Sequence, residues 1–325
     1  MPRVIAVLSA FAILLVAGAN AQDDIGCESN PTGDPIGGGE GYSQIHADGD
    51  YVVRAADELL AALAVATEGD VIYVPGDVEI DMTGHDHIGI AGGVTLASDR
   101  GRDGAPGARI YTTQRATNPL FQTAGDFVRI TGLRLEGPFG GRERIAERGS
   151  GVMTTHHHLE VDNCEVFAWN WAGIAGQRGA THVYVHHNFI HHCQYAGLGY
   201  GVVLDQADAR IIANRFDWNR HHIAATGRPG CAYEAAYNLV LTNANGHYFD
   251  MHGGRDRGDG TNIAGDWMHV HHNTFLGDGH WGVIIRGVPA QGARIHHNRF
   301  ATPEDRSIGT GGNAEAHDNV FGEVE

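Results

Sequence analysis

The chain contains no lysine: all 22 of its basic side chains are arginine, set against 39 Asp and Glu for a net charge of −17. That absence removes one common catalytic base. The acidic balance argues against nucleic acid as a partner, because phosphate binding needs a basic surface. Long apolar runs are just as scarce. The longest, residues 4–16, falls short of the ~20 residues that span a bilayer, so no membrane insertion is expected. It follows Arg3 and precedes the small residues Ala19 and Ala21, the layout of an export signal cut after Ala21. Residues 1–21 are therefore predicted to be a signal peptide, and the remainder to be secreted or periplasmic. Only four cysteines are present, Cys27, Cys164, Cys193 and Cys231, without the paired spacing of a structural metal site. An even count in an exported protein permits disulfides, but no pairing can be read from the spacing.

Glycine, by contrast, is abundant at 47 residues, and a repeat runs through the chain. The phrase Val185-His186-His187-Asn188 returns as Ile212-Ala213-Asn214, Ala236-Tyr237-Asn238, Val270-His271-His272-Asn273, Ile295-His296-His297-Asn298 and Ala316-His317-Asp318-Asn319. These Asn residues stand 26, 24, 35, 25 and 21 positions apart, and Val161-Asp162-Asn163-Cys164 fits one coil earlier. A period in the twenties with short β-branched runs marks a β-solenoid, and no helical stripe competes with it. Each Asn is expected to point inward at a corner and bond the backbone of neighbouring coils ~4.8 Å away. Cys164, on the same ladder, is expected to be a buried thiol. The His-His pairs then sit at one place in every coil, as decoration of the scaffold rather than as ligands.

An elongated solenoid also explains how ~300 residues form one domain without a linker, where a globular core would split. Residues 51–325 are assigned to it. Residues 22–50, rich in Asp, Gly, Ser and Pro, are predicted to be a flexible N-terminal segment. An amphipathic helix over 54–67 is predicted to cap the open end of the stack. With this helix, Gly92-Gly93-Val94-Thr95-Leu96 and Phe127-Val128-Arg129-Ile130-Thr131-Gly132-Leu133, the chain resembles the pectate-lyase-like superfamily. That resemblance implies an all-β, right-handed parallel β-helix, a fold that hosts lyases, epimerases, hydrolases and non-enzymes.

Aligning the strands after each Asn corner by strict alternation puts Ile174, Leu198, Ile223, Phe249 and Val283 inside. The outward column then begins with Gly173, Ala175, Gln177, Gly197, Gly199 and Gly201, a shallow trough. It continues with His222, Thr226, Tyr248, Asp250, His252 and Arg286, a polar patch on the order of 10 Å across. The residues Phe249-Asp250-Met251-His252 resemble the Phe-Asp-Pro-His core of mannuronan C5-epimerases. Met251 replaces the Pro, Tyr248 stands one position too close, and the helping Lys has no counterpart.

The resemblance implies proton abstraction at C5 of a uronate polysaccharide, by a lyase or an epimerase. His252 is expected to be the base, Tyr248 the second proton carrier and His222 its orienting partner. Arg286 or Asp250 would neutralise the carboxylate. Gln177, Thr226, Arg255 and Arg257 are expected to bind substrate. No cofactor is demanded, though Asp256 and Asp259 in the loop after His252 suit calcium. His222, His247, Asp250 and His252 suit a transition metal, and so a metal-dependent hydrolase. A non-catalytic glycan-binding or structural β-helix is the third reading. A monomer is expected.

Overall fold

The computed structural model describes residues 24–322, so the predicted signal peptide lies outside the described residues. The repeated phrase folds into coils that each give one strand to three parallel sheets of eleven, ten and nine strands, here sheets A, B and C. One coil shows the order. Val183–His186 enters sheet A, the chain turns at His187 and Asn188, and Phe189–His191 enters sheet B. A loop over 193–199 then leads to Tyr200–Leu204 in sheet C, and Asp208–Ile212 begins the next coil. The result is a right-handed parallel β-helix.

Apolar side chains stack at matching register inside each wall. Val161, Val185, Ile211, Ala235, Val270 and Ile295 form one column in sheet A. Ile174, Val202, Ile223, Phe249 and Val283 form another in sheet C. All of these are fully buried, and each contributes roughly 1.5–3 kcal/mol for a Val, Ile or Phe side chain.

The corner between sheets A and B is tight. Its turn residue is left-handed in coil after coil, with φ between 51° and 56° at Asn163, His187, Ala213, Tyr237, His272, His297 and Asp318. Non-glycine residues avoid that region, so the corner needs compensation, and the Asn ladder supplies it. The Asn214 amide nitrogen donates to the Val185 carbonyl at 2.9 Å and to Asn238 Oδ1 at 3.1 Å. Asn214 Oδ1 accepts from the backbone and side chain of Asn188, both at 3.0 Å. The same bonds continue through Asn273 and Asn298 to Asn319. Cys164 takes the first position as a buried free thiol, and Cys27, Cys193 and Cys231 are also free and buried.

Residues 24–50 do not form the flexible segment expected from their composition. They run back along this corner from the last coils to the first. Gly26 N–H donates to the His297 carbonyl, Gly37 N–H to Ala213 and Gly39 N–H to Asn163 Oδ1. The buried Tyr42 hydroxyl donates to Asp162 Oδ2 at 2.7 Å. The strap satisfies carbonyls that the left-handed turns leave facing outward, which is why a polar, glycine-rich stretch is ordered here. A helix at Ala56–Val65 follows and buries Leu59, Ala62 and Leu63 in the same core as Ile72, Ile80 and Ile88. It stops short of residue 67 because the Thr67 backbone and hydroxyl both bond to Asp70. No helix among the described residues is long and apolar enough to cross a membrane.

Candidate functional site

The outer face of sheet C carries a buried group of ionisable side chains, but not with the membership that alternation predicts. Phe249–Met251 pairs with His221–Ala225 so that Ile223 lies beside Phe249 and Ala224 beside Asp250. Asp250 therefore faces outward, as expected. One step earlier the alternation breaks. Both His222 and Ile223, and likewise both Tyr248 and Phe249, face the interior, so that His221 takes the outward place expected for His222.

The other coils show why. The matching corner positions are Gly173, Gly201 and Gly282, where a Cβ would meet Val166, Ile190 or Phe300 from inside. These glycines therefore line the core and not a trough. His222 fills that space, hydrogen-bonded to Asn219 at 3.0 Å and packed on Phe216. Tyr248 stacks between His222 and Phe275. Neither His222 nor Tyr248 reaches the outer face, so neither can act on a substrate there.

The second correction is of register. Val202, not Leu198, pairs with Ile174. The loop over 193–199 adds residues before the strand, so Gly197 and Gly199 are turn residues, both with positive φ. The shift brings Tyr200 to the outer face beside His221, their rings stacked at 5.8 Å and 9°. Tyr200, His221 and Arg220 are the functional candidates missed by alternation. The β-branched pair Val202-Val203, with Tyr200 and Leu204 beside it, is the signal that would have found the correct strand.

Asp250 is the centre of the cluster and has no solvent exposure. Arg286 grips it with Nε to Oδ1 at 3.0 Å and Nη2 to Oδ2 at 2.6 Å. A third bond takes Arg286 Nη1 to Asp256 Oδ1 at 3.0 Å. His252 Nε2 and His221 Nε2 lie 3.3 and 3.5 Å from Asp250 Oδ2, though neither has the alignment of a hydrogen bond. Burial on its own would raise the Asp250 carboxyl. His252, His221 and Arg286 more than offset it and hold the group well below the usual carboxylate range. Burial pushes the His221 ring down to about 3, so it is neutral at physiological pH. Burial also raises the Tyr200 hydroxyl, with the Arg220 charge opposing.

Two depressions flank the 193–199 loop. One, of ≈ 230 Å³, is lined by Trp171, Gln177, Leu198, Tyr200, Thr226 and His252. The other, of ≈ 440 Å³, is lined by Arg142, Arg220, Asn245 and His280. Gln177 and Thr226 are thus on the cleft wall as expected, with the Thr226 hydroxyl bonded to Asp205.

The remaining expectations fare differently. Arg257 is used inside its own loop, donating to the Thr226 and Ile263 carbonyls and pairing with Asp259. Arg255 is exposed on a short helix, Gly254–Arg257, and away from the cleft. Asp256 is bound by Arg286, while Asp259 bonds to Arg257 and Thr261. The two carboxylates serve to close the loop and do not converge as a calcium cage would. His247 contributes its carbonyl, not its ring: His221 Nδ1 donates to it at 2.5 Å. The His-His pairs along sheet A stack on one another and meet acids, as His271 meets Glu234 at 3.1 Å.

No family model matches the chain, and no curated protein matches it. Among solved structures it is similar to an alginate lyase from Paenibacillus sp. str. FPU-7, at 15% identity, 83% of this chain, 94% of that one and a TM-score of 0.56. The A-module of a mannuronan C-5 epimerase from Azotobacter vinelandii aligns at 13% identity over 82% of this chain and 94% of that one, with a TM-score of 0.47. At these identities the likeness is one of fold: the chain is a right-handed parallel β-helix, as the pectate-lyase-like resemblance in its sequence implies.

Proposed function

We propose that this protein is a polysaccharide-active enzyme that works on uronate chains and moves the proton at C5, as a lyase or an epimerase. One observation carries the reading: Tyr200 and His252, the edge of a His–Asp–His cluster, line one depression, and Arg220, with a free donor, stands against the Tyr200 ring from the neighbouring one. The fold shared with an alginate lyase supports it.

The chemistry sets three demands. The C5 proton becomes acidic only when the neighbouring carboxylate is neutralised, a base must reach it, and an acid must serve the leaving oxygen or the opposite face. Arg220 suits the carboxylate: its Nη1 is buried without a hydrogen-bond partner among the described residues. Arg286 does not, because Asp250 and Asp256 engage it. The proton carrier is Tyr200, on the cleft wall with Arg220 over its ring at 5.9 Å. His252, expected to be the base, turns Nε2 toward Asp250 and so belongs to the cluster around that buried carboxylate.

Breaking the C4–oxygen bond after proton removal gives an unsaturated uronate end, while reprotonation from the other face gives the C5 epimer. A screen of uronate polymers, read by absorbance for unsaturated ends and by NMR for epimers, tests the proposal. Absence of both products on every uronate polymer would overturn it in favour of a binding role.

A further inference from the structure

The arrangement around Asp250 has a feature that proton transfer does not explain. His221 Nδ1 lies 2.5 Å from the His247 carbonyl. A carbonyl only accepts, so Nδ1 carries a proton and Nε2 is the nitrogen turned to the cluster. It lies 3.5 Å from Asp250 Oδ2, without the alignment of a hydrogen bond. His221 is 1% exposed, and its Nε2 has no hydrogen-bond partner among the described residues. His252 Nε2 is buried and unpartnered in the same way, 3.3 Å from the same oxygen. Two imidazole nitrogens and a carboxylate oxygen thus converge, all within 4.8 Å of one another. Beside them Arg286 binds both Asp250 and Asp256, which leaves the two imidazole nitrogens facing Asp250 without a hydrogen-bond partner among the described residues.

We propose that His221, Asp250 and His252 bind a divalent first-row transition metal, with zinc the best match to the donor set. Two neutral imidazoles and one carboxylate give a borderline-soft set of three ligands with a position left open to the cleft. The supports that such sites use are in place. The His247 carbonyl fixes the His221 tautomer so that Nε2 is the ligand, and the paired Arg286 bonds fix the Asp250 carboxylate. His221 comes from one strand, and Asp250 and His252 lie on the same side of the next coil. The sheet therefore holds the donors together without a flexible loop. The metal site rests on this arrangement of donors alone. That its open position takes the uronate carboxylate rests on the proposed function.

The test uses the full mature chain, stripped with a chelator and titrated with Co(II) as a spectroscopic probe and with Zn(II) alone. The expected result is one tight equivalent with visible Co(II) bands and a metal-dependent rise in melting temperature. His252→Gln, on the partly exposed edge of the cluster, is expected to keep the fold. It should weaken binding beyond the ~10–100-fold that an outer-shell partner costs.

Other imidazoles could bind the probe, above all Glu234, His269 and His271 on sheet A. The double variant His269→Gln, His271→Gln controls for them and is expected to leave the tight equivalent unchanged. The proposal is overturned if the wild type shows no bands and no thermal shift, which would make a proton the only occupant. It is also overturned if the bands survive His252→Gln or vanish in the sheet A variant. None of these readouts depends on turnover, so the metal site and the uronate chemistry can fail separately.

Discussion

Arg286 holds Asp250 through two parallel hydrogen bonds, at 3.0 and 2.6 Å, across neighbouring coils of sheet C. Asp250 is wholly buried while the Arg286 side chain keeps 28% of its exposure. Removing the arginine therefore leaves a buried carboxylate without its paired hydrogen bonds. Arg286→Ala is expected to cost about 3 kcal/mol of unfolding free energy, near the lower bound for breaking a buried pair. Arg286→Lys should recover only part of it, since an ammonium cannot make the paired bonds. Denaturant midpoints for the two variants check this. Equal stability in both and in the wild type would mean that the pair contributes nothing.

The Asn ladder is expected to be costly to interrupt in its middle and cheap at its end. Asn214→Ala strands the backbone N–H of Asn188 and the carbonyl of Val185 inside the corner. Each buried orphan costs roughly 1–3 kcal/mol. Asn319 serves the same kinds of group, the Asn298 N–H and the Ile295 carbonyl, but at a part-buried corner where water can replace it, so Asn319→Ala should lose a fraction of that. Thermal melts of the two variants side by side are the check, and equal effects would contradict the ladder's role.

Stability should fall as the solution is acidified from pH 7, well before the carboxylates titrate. Burial holds His221 and His222 down to about 3, whereas the unfolded chain protonates them at ~6.5. The unfolded state thus binds more protons below that value, and stability is lost as pH falls toward 3. Each ring contributes a slope approaching ~1.4 kcal/mol per pH unit. A second decline follows at lower pH. Burial would raise Glu165, but His191 and Arg134 bring it to about 2. His271 and Arg210 do the same for Glu234 against its burial. Both carboxylates stabilise the fold above their unfolded value of ~4.3 and lose that contribution as pH falls through about 2. Unfolding free energies at pH 7, 6 and 5 in chelator check the first window. His222→Phe should show a shallower slope, and a flat wild-type profile would contradict the buried neutral rings.

Much of the fold was legible because a solenoid writes its period into the chain. The Asn corners and the stacked coils follow from residues recurring in the twenties. The site was harder to read for two physical reasons. Strict alternation holds inside a strand but not at a coil corner, where His222 and Tyr248 fill a space that glycine leaves in other coils. Register holds only when coils have equal loops, and the loop over 193–199 displaced Tyr200 from view. Asp250 and His252 face outward as alternation expects because they lie within or directly after the regular part of their strand. The strap over 24–50 was misread because its composition suits a flexible tether. Its order comes from carbonyls on the turns it crosses, which no local pattern records.

The exchange of Tyr248 for Tyr200 yields a direct contrast. Tyr248 packs against Phe275 and His222 with 1% exposure. Tyr248→Ala is expected to cost about 3–5 kcal/mol through the cavity it opens. Tyr248→Phe should leave both fold and turnover near wild type. A large loss of turnover in a well-folded Tyr248→Phe protein would return that side chain to the site.

The most direct measurement is the turnover of Tyr200→Phe beside that of the wild type on mannuronate, guluronate and galacturonate polymers. Unsaturated ends are followed by absorbance and C5 epimers by NMR, with circular dichroism confirming the fold. The expected result is product from at least one polymer with the wild type. With the single hydroxyl removed, turnover should fall by about 10²–10⁴-fold, the usual share of a general acid–base group. Undiminished turnover in folded Tyr200→Phe would contradict the assignment of the proton carrier, and no product from the wild type on any uronate polymer would contradict the enzyme itself.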